Sequence, residues 1–164
     1  MIMEAYLYQP LDDSKVKCNL CSHRCVIKDG RRGLCSVREN QAGTLQTLVY
    51  GKLIARHVDP IEKKPLYHYF PASNAFSIAT AGCNLACLNC QNWTISQTSP
   101  EETQNYDLMP EKVIQQARKY ACLSIAYTYS EATTFFEYMI DTATIARAKK
   151  LSNLLISNGF INTK

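Results

Sequence analysis

No stretch of this 164-residue chain approaches the roughly 18 consecutive apolar residues of a transmembrane helix, which argues against a helical membrane span. Nor is there a basic tract of roughly five to eight residues of the kind that signals nucleic-acid binding. The 18 basic and 14 acidic residues are interspersed, and the net charge is only +4. Met1 to Pro10 carries Glu4 and Gln9 and lacks both a basic start and a sustained apolar centre, so no signal peptide is expected. Internal repeats and low-complexity segments are also lacking. With 46% apolar residues the chain can bury a core of its own, and a cytoplasmic protein is expected.

Cysteine is the informative residue. Eight cysteines are too few for a disulfide scaffold of this length, yet seven fall into two tight groups. Grouped thiols in a reducing compartment favour metal ligation.

Three regions follow one another: a cysteine-rich segment (1–43), a strand-rich connector (44–73) and an alternating strand-helix region (74–164). Residues 44–50 alternate in apolar character between Gly43 and Gly51 and read as a strand. Residues 76–79 form a short apolar run that ends near Gly82. Pro110 suits the first position of a helix with Val113, Ile114, Ala117 and Ala121 on one face. Residues 123–129 read as a buried strand. From 133 to 150, Phe135, Phe136, Met139, Ile140, Ala143 and Ala146 keep helical spacing, and Arg147, Lys149 and Lys150 suit the negative end of that helix. A last strand at 154–157 closes at Asn158-Gly159. This order predicts an α/β fold with parallel strands, right-handed crossovers and ligands at the strands' C-terminal ends.

Cys83, Cys87 and Cys90 form C-x-x-x-C-x-x-C, a spacing that wraps three thiolates around one cubane and leaves its fourth iron without a protein ligand. On spacing alone a zinc site or unliganded structural cysteines also fit. The surrounding Ser77-Ile78-Ala79-Thr80-Ala81-Gly82-Cys83-Asn84-Leu85-Ala86-Cys87-Leu88-Asn89-Cys90-Gln91-Asn92-Trp93 resembles the cluster loop of the radical S-adenosylmethionine superfamily, in its pyruvate formate-lyase-activating branch. Three further motifs resemble radical enzymes of the AmmeMemoRadiSam system. They are Cys18-x-x-Cys21-x-x-x-Cys25 with Gly30 through Cys35, Asp59-Pro60-Ile61-Glu62-Lys63-Lys64-Pro65-Leu66-Tyr67-His68, and Tyr127-Thr128-Tyr129-Ser130-Glu131.

The resemblance implies a partial radical S-adenosylmethionine (β/α) barrel of about three strand-helix units, preceded by a small cysteine-rich domain and the connector. It implies a 4Fe-4S cluster on Cys83, Cys87 and Cys90, with S-adenosylmethionine chelating the open iron through its amino and carboxylate groups. Reductive cleavage to a 5'-deoxyadenosyl radical and hydrogen abstraction, in one version from a protein, would follow. Cofactor contacts are implied at Asn89, Gln91, Ser130, Glu131 and Asn158. The superfamily usually has an aromatic residue where Asn89 stands, and this branch usually has proline where Ala132 stands. Glu131 also suits a helix N-terminus, and Asn158-Gly159 also suits a turn without a ligand.

Cys18, Cys21, Cys25 and Cys35 lie in a segment of little apolar content, where a second metal or cluster would compensate for a core the segment cannot build. Reduced packing thiols are the alternative. Cys122 reads as a small buried hydrophobe. His23 reads as a surface residue or substitute ligand, and His57 and His68 as packing or hydrogen-bonding residues. Trp93 reads equally as a cover for the cluster or as core. Companion proteins of the AmmeMemoRadiSam system and an electron donor are the implied partners. The different-class alternative is a noncatalytic iron-sulfur or zinc-binding module, and with three strands placed the chain reads as a truncated half of a split enzyme.

Overall fold

Short apolar and β-branched stretches pair into antiparallel ladders at the N-terminal end of the computed structural model, which describes residues 1–162. The strands there are β1 (Met3–Glu4), β2 (Tyr8–Pro10), β3 (Val16–Cys18), β4 (Val26–Ile27), β5 (Arg38–Gln41) and β6 (Thr44–Thr47). They form two sheets, ordered β2-β3-β4 and β1-β6-β5. Strands β5 and β6 make a hairpin in which Gln41 opposes Thr44. Its turn residues Ala42 and Gly43 both have positive φ, 51° and 86°, as a turn whose twist matches its strands requires.

Three expectations change here. The boundary at 43 falls inside this hairpin, so cysteine-rich segment and connector interleave. The strand expected over 44–50 stops at Thr47: the Leu48 N–H makes one more cross-strand bond, to the Val37 carbonyl at 3.0 Å, and the chain then turns, with the Lys52 N–H donating to the Val49 carbonyl at 3.0 Å. The N-terminal segment also builds the core it was expected to lack: Ala5, Val16, Cys18, Leu20, Ile27 and Leu45 form one buried cluster. Leu45 comes from the connector, which is why the segment alone reads as core-poor.

The remaining elements are β7 (Lys52–Leu53), β8 (Ala55–Pro60), β9 (Asn74–Ala79), α1 (Trp93–Ser96), β10 (Tyr106–Asp107), α2 (Pro110–Lys119), β11 (Ser124–Tyr127), α3 (Phe136–Ala148) and β12 (Ser152–Leu155). Strands β9, β11 and β12 are parallel, and β8 runs antiparallel against β9, giving the order β12-β11-β9-β8. The chain is thus mixed α/β. Among the described residues no helix is long and apolar enough to cross a membrane.

Helix α2 starts at Pro110, where the missing N–H costs nothing, and buries Val113, Ile114 and Ala117. Ala121 lies beyond it in a turn with φ 51°, so the fourth position of that apolar stripe is exposed. Helix α3 begins only after a 3-10 turn, Ala132–Phe135. Phe135 and Ala146 are buried, while Ile140 is exposed. Cys122 is buried in the main core with Phe76, Ile125 and Tyr127.

One charged pair joins the two halves. Arg38 on β5 and Glu137 on α3 are both buried, and the guanidinium donates from Nη1 to Oε1 at 3.1 Å and from Nη2 to Oε2 at 2.6 Å. The Tyr6 N–H donates to the same Oε1 at 2.9 Å. Replacing one partner strands a desolvated charge, which costs far more than the intact pair contributes. Glu137→Gln is therefore expected to destabilise the fold by about 3–5 kcal/mol, read as a lower urea midpoint.

Candidate functional site

Parallel strands end with unpaired backbone groups and loops, and ligands gather there in open α/β sheets. In this chain those ends are stitched together. The Thr128 N–H donates to the Ile78 carbonyl at 3.0 Å, and the Ile156 N–H to the Tyr127 carbonyl at 3.1 Å. Ser130 Oγ donates to the Thr80 carbonyl at 2.7 Å. Beside them opens a cavity of about 650 Å³ lined by Cys83, Cys87, Cys90, Gln91, Tyr129, Ser130, Glu131 and Asn158, with Lys63 and Lys64 on another part of its wall. That volume falls within the roughly 300–1,000 Å³ of cofactor and substrate sites.

The cysteine loop leaves β9 through Gly82, whose φ is +88°. A Cβ there would stand 2.5 Å from Val37 Cγ1 and 2.6 Å from the Cys35 carbonyl oxygen. Glycine is needed both for the backbone angle and for the close approach of the N-terminal segment. The next anchor is Asn84, buried at the loop's base. Its Nδ2 donates to the Phe160 carbonyl at 2.9 Å, its Oδ1 accepts from Asn158 Nδ2 at 2.9 Å, and its carbonyl accepts from His23 Nε2–H at 2.7 Å. Cys90 Sγ lies 3.3 Å from Ser96 Oγ on α1. Burial pushes the Cys83 thiol up, and the nearby Glu131 charge acts in the same direction.

Glu131 takes the helix N-terminal role and lines the cavity as well. It is the N-cap of the 3-10 turn, accepting from the Thr133 N–H at 3.0 Å. It also accepts from Thr133 Oγ1 at 2.6 Å, Ser157 Oγ at 2.8 Å and the Asn158 N–H at 2.7 Å. All four donors are neutral, so none of them brings a counter-charge to this carboxylate, which ties the end of β11 to the turn after β12. Asn158 is held by Glu131 and Asn84. Gln91 is exposed and lines the cavity, whereas Asn89 is exposed and lies outside its lining. Trp93 opens α1 with 64% exposure and is not core.

The N-terminal thiols form a separate place. Cys18, Cys21, Cys25 and Cys35 line a small pocket of about 20 Å³ together with His23, Asn84 and the Arg38 guanidinium. Burial pushes Cys35 up to about 11 and raises Cys18 as well. Among the described residues no three His, Cys, Asp or Glu side chains converge on the position of one metal ion. A polynuclear cluster sets a different requirement, because each thiolate meets its own iron and the ligands need not converge on a point.

No family model matches this chain, and no solved structure matches it. Over 158 residues, 96% of its length, the chain is 48% identical to an uncharacterized protein of Methanocaldococcus jannaschii, MJ0808, of which it covers 47%. It is 28% identical over 114 residues to a second uncharacterized protein of that organism, MJ0674, covering 63% of this chain and 28% of that protein. The chain thus spans less than half the length of these curated relatives.

Sequence reasoning missed the polar group behind Tyr129. Tyr129 has φ 66°, a left-handed backbone rarely adopted by a bulky residue, and its carbonyl accepts from Asn92 Nδ2 at 3.0 Å. Its hydroxyl donates to the buried carboxylate of Asp59, which also holds Lys63 Nζ on Oδ1 and Lys64 Nζ on Oδ2, each at 2.8 Å. The only signal was the run from Asp59 to His68, whose lysines spacing alone does not direct anywhere. His57 stacks edge-on against Tyr129 with ring centroids 5.7 Å apart, and His68 is exposed.

Burial alone would raise the Asp59 carboxyl, but the two ammonium groups and Tyr129 outweigh it and hold it well below the usual carboxylate range. A depressed carboxyl stabilises the fold fully above the unfolded value of about 3.9 and loses that contribution as pH falls through the folded value. Asp59→Asn should therefore cost about 3–5 kcal/mol at neutral pH, with the gap from wild type closing below about pH 4. Urea midpoints measured across the acid range check both the size and the direction.

Proposed function

We propose that this chain is the cluster-bearing part of a radical S-adenosylmethionine iron-sulfur protein. The observation that carries the reading is that Cys83, Cys87 and Cys90 line one cavity at the C-terminal ends of three parallel strands, with the Glu131 carboxylate in the same lining. The donor set fits the group. Three thiolates are provided and a fourth ligand position is left open, and the cavity volume suits a cluster with a cofactor beside it.

A bound 4Fe-4S cluster, reduced by an electron donor, would supply one electron to break a sulfur-carbon bond of S-adenosylmethionine, yielding methionine and a 5'-deoxyadenosyl radical for hydrogen abstraction. The residues of this chain hold and orient. Cys83 gives up its thiol proton on ligation, and Leu85 N–H, 3.5 Å from its sulfur, favours the thiolate. Glu131 offers negative charge to the cofactor's amino group while Thr133, Ser157 and Asn158 keep its carboxylate from rotating. Gln91 and the Asn158 side chain offer amide groups at the cavity rim. Asn89 is not among the residues lining this cavity, so an adenine contact from it has no support. The partial (β/α) barrel of the superfamily is proposed on the three parallel strands, and substrates and protein partners of a longer protein are proposed only on the resemblance.

Anaerobically reconstituted protein is expected to bind iron and sulfide in cluster proportions, and Cys83→Ala, Cys87→Ala and Cys90→Ala together should abolish this. Iron-sulfide analysis with electron paramagnetic resonance checks it, and an undiminished cluster in the triple variant refutes the ligand assignment. Production of 5'-deoxyadenosine, with and without a polypeptide carrying the part of MJ0808 outside the match, separates an enzyme from a noncatalytic module.

We also propose a second metal at Cys18, Cys21, Cys25 and Cys35. Its support is that all four face one pocket beside Arg38, whose buried Nε–H has no partner and is a donor that a thiolate sulfur accepts. Zinc or iron retained by the full chain carrying the triple alanine substitution is the expected result. Metal content no higher than in a variant lacking all seven clustered cysteines would leave these thiols as packing residues.

A further inference from the structure

Two ammonium groups share the cavity wall with the cysteines, and nothing in the proposed chemistry uses them. Lys64 is held with its side chain only 3% exposed, and Lys63 stands at the rim with 57% exposure. An ammonium carries three donors. Among the described residues, Asp59 is the hydrogen-bond partner of each, through one bond apiece, so two N–H groups on each lysine remain for the cavity. Both nitrogens sit over the Tyr129 ring, at 4.4 Å for Lys64 and 5.9 Å for Lys63. The ring and Asp59 together hold the two cations side by side.

Two positive charges against one carboxylate leave this wall net positive, which favours a further anion there. A buried cation with unfilled donors is costly unless a ligand fills them. Asp59 cannot serve better than it does, since Lys63 occupies one of its oxygens and Lys64 and Tyr129 the other.

We propose that Lys63 and Lys64 form an anion subsite, taking a carboxylate or phosphate group of the substrate bound in this cavity. Assigning the anion to a substrate rests on the proposed function, in which the cofactor's own carboxylate is occupied on iron. Anion binding itself does not. Glu131 lines the same cavity with opposite charge, so a ligand is read by polarity as well as by size.

The test uses the full isotope-labelled chain without iron, titrated with inorganic phosphate and followed by nuclear magnetic resonance. Saturable shifts at Lys63, Lys64 and Tyr129 are expected. In Lys63→Gln, which removes the more exposed cation and spares the buried one, binding should weaken roughly tenfold or more, the loss of one charge-assisted hydrogen bond. Lys63→Arg should restore it. No saturable shift in the wild-type chain, or equal affinity in Lys63→Gln, overturns the subsite. On reconstituted protein, S-adenosylmethionine should bind wild type and Lys63→Gln equally. A tenfold loss there would give the ammonium groups to the cofactor's carboxylate and overturn the substrate assignment. Because the phosphate titration needs no cluster, failure to assemble iron and sulfide would sink the proposed function and leave this measurement intact.

Discussion

The buried pair of Arg38 and Glu137 is the constraint on which the site's arrangement rests. It fixes the start of α3 against β5, and the 3-10 turn immediately before α3 is capped by Glu131. From Glu131 the connection runs through the Asn158 N–H to the turn after β12, and from the Asn158 side chain to Asn84 at the base of the cysteine loop. Every link is a hydrogen bond to a buried or half-buried group, where an unmet partner is expensive. Arg38 also lines the pocket of the N-terminal thiols, so one desolvated cation links that cysteine group to the start of α3. A well-packed apolar pair would fill the same volume at less cost in desolvation, but it would not orient a helix terminus so specifically.

The cavity has two charged walls with different histories. Glu131 is surrounded by neutral donors, so it is held in place without losing its charge. Asp59 spends its charge on two lysines, so the lysines keep the excess. One wall therefore presents an anion and the other a cation, and both are set by groups just behind the lining. Tyr129 lies between them: its ring faces the lysines, its hydroxyl meets Asp59, and its neighbours Ser130 and Glu131 anchor the strand end. Its left-handed backbone is the local strain that lets one tripeptide do this.

Much of the strand-helix order was legible because each element carries a periodic signal of its own. Pro110 and the apolar stripe of α2 mark a helix wherever it packs, and Phe76 to Ala79 marks a buried strand. Boundaries were less legible. Ala121 continues the helical spacing but sits in a turn, and the strand from Thr44 ends early because a turn from Val49 to Lys52 follows directly. The N-terminal core escaped notice because Leu45 completes it from beyond the expected boundary.

By itself the sequence determined the local items: the three-cysteine loop with Gly82 before it, the parallel alternation of elements, and the acid at the end of β11. These depend on near neighbours and on backbone geometry, which a short window carries. Only the tertiary structure decided which side chains share a cavity. Lys63 and Lys64 line the cysteine cavity although the antiparallel register, with Pro60 opposite Asn74, brings β8 out at the start of β9, and Asp59 and the Tyr129 hydroxyl tie them in. Asn89 misses the cavity although it sits between two cysteines that line it, because in a tight loop neighbouring side chains diverge. Long-range pairing brings distant residues together by burial and hydrogen bonding, and no spacing in the chain records that.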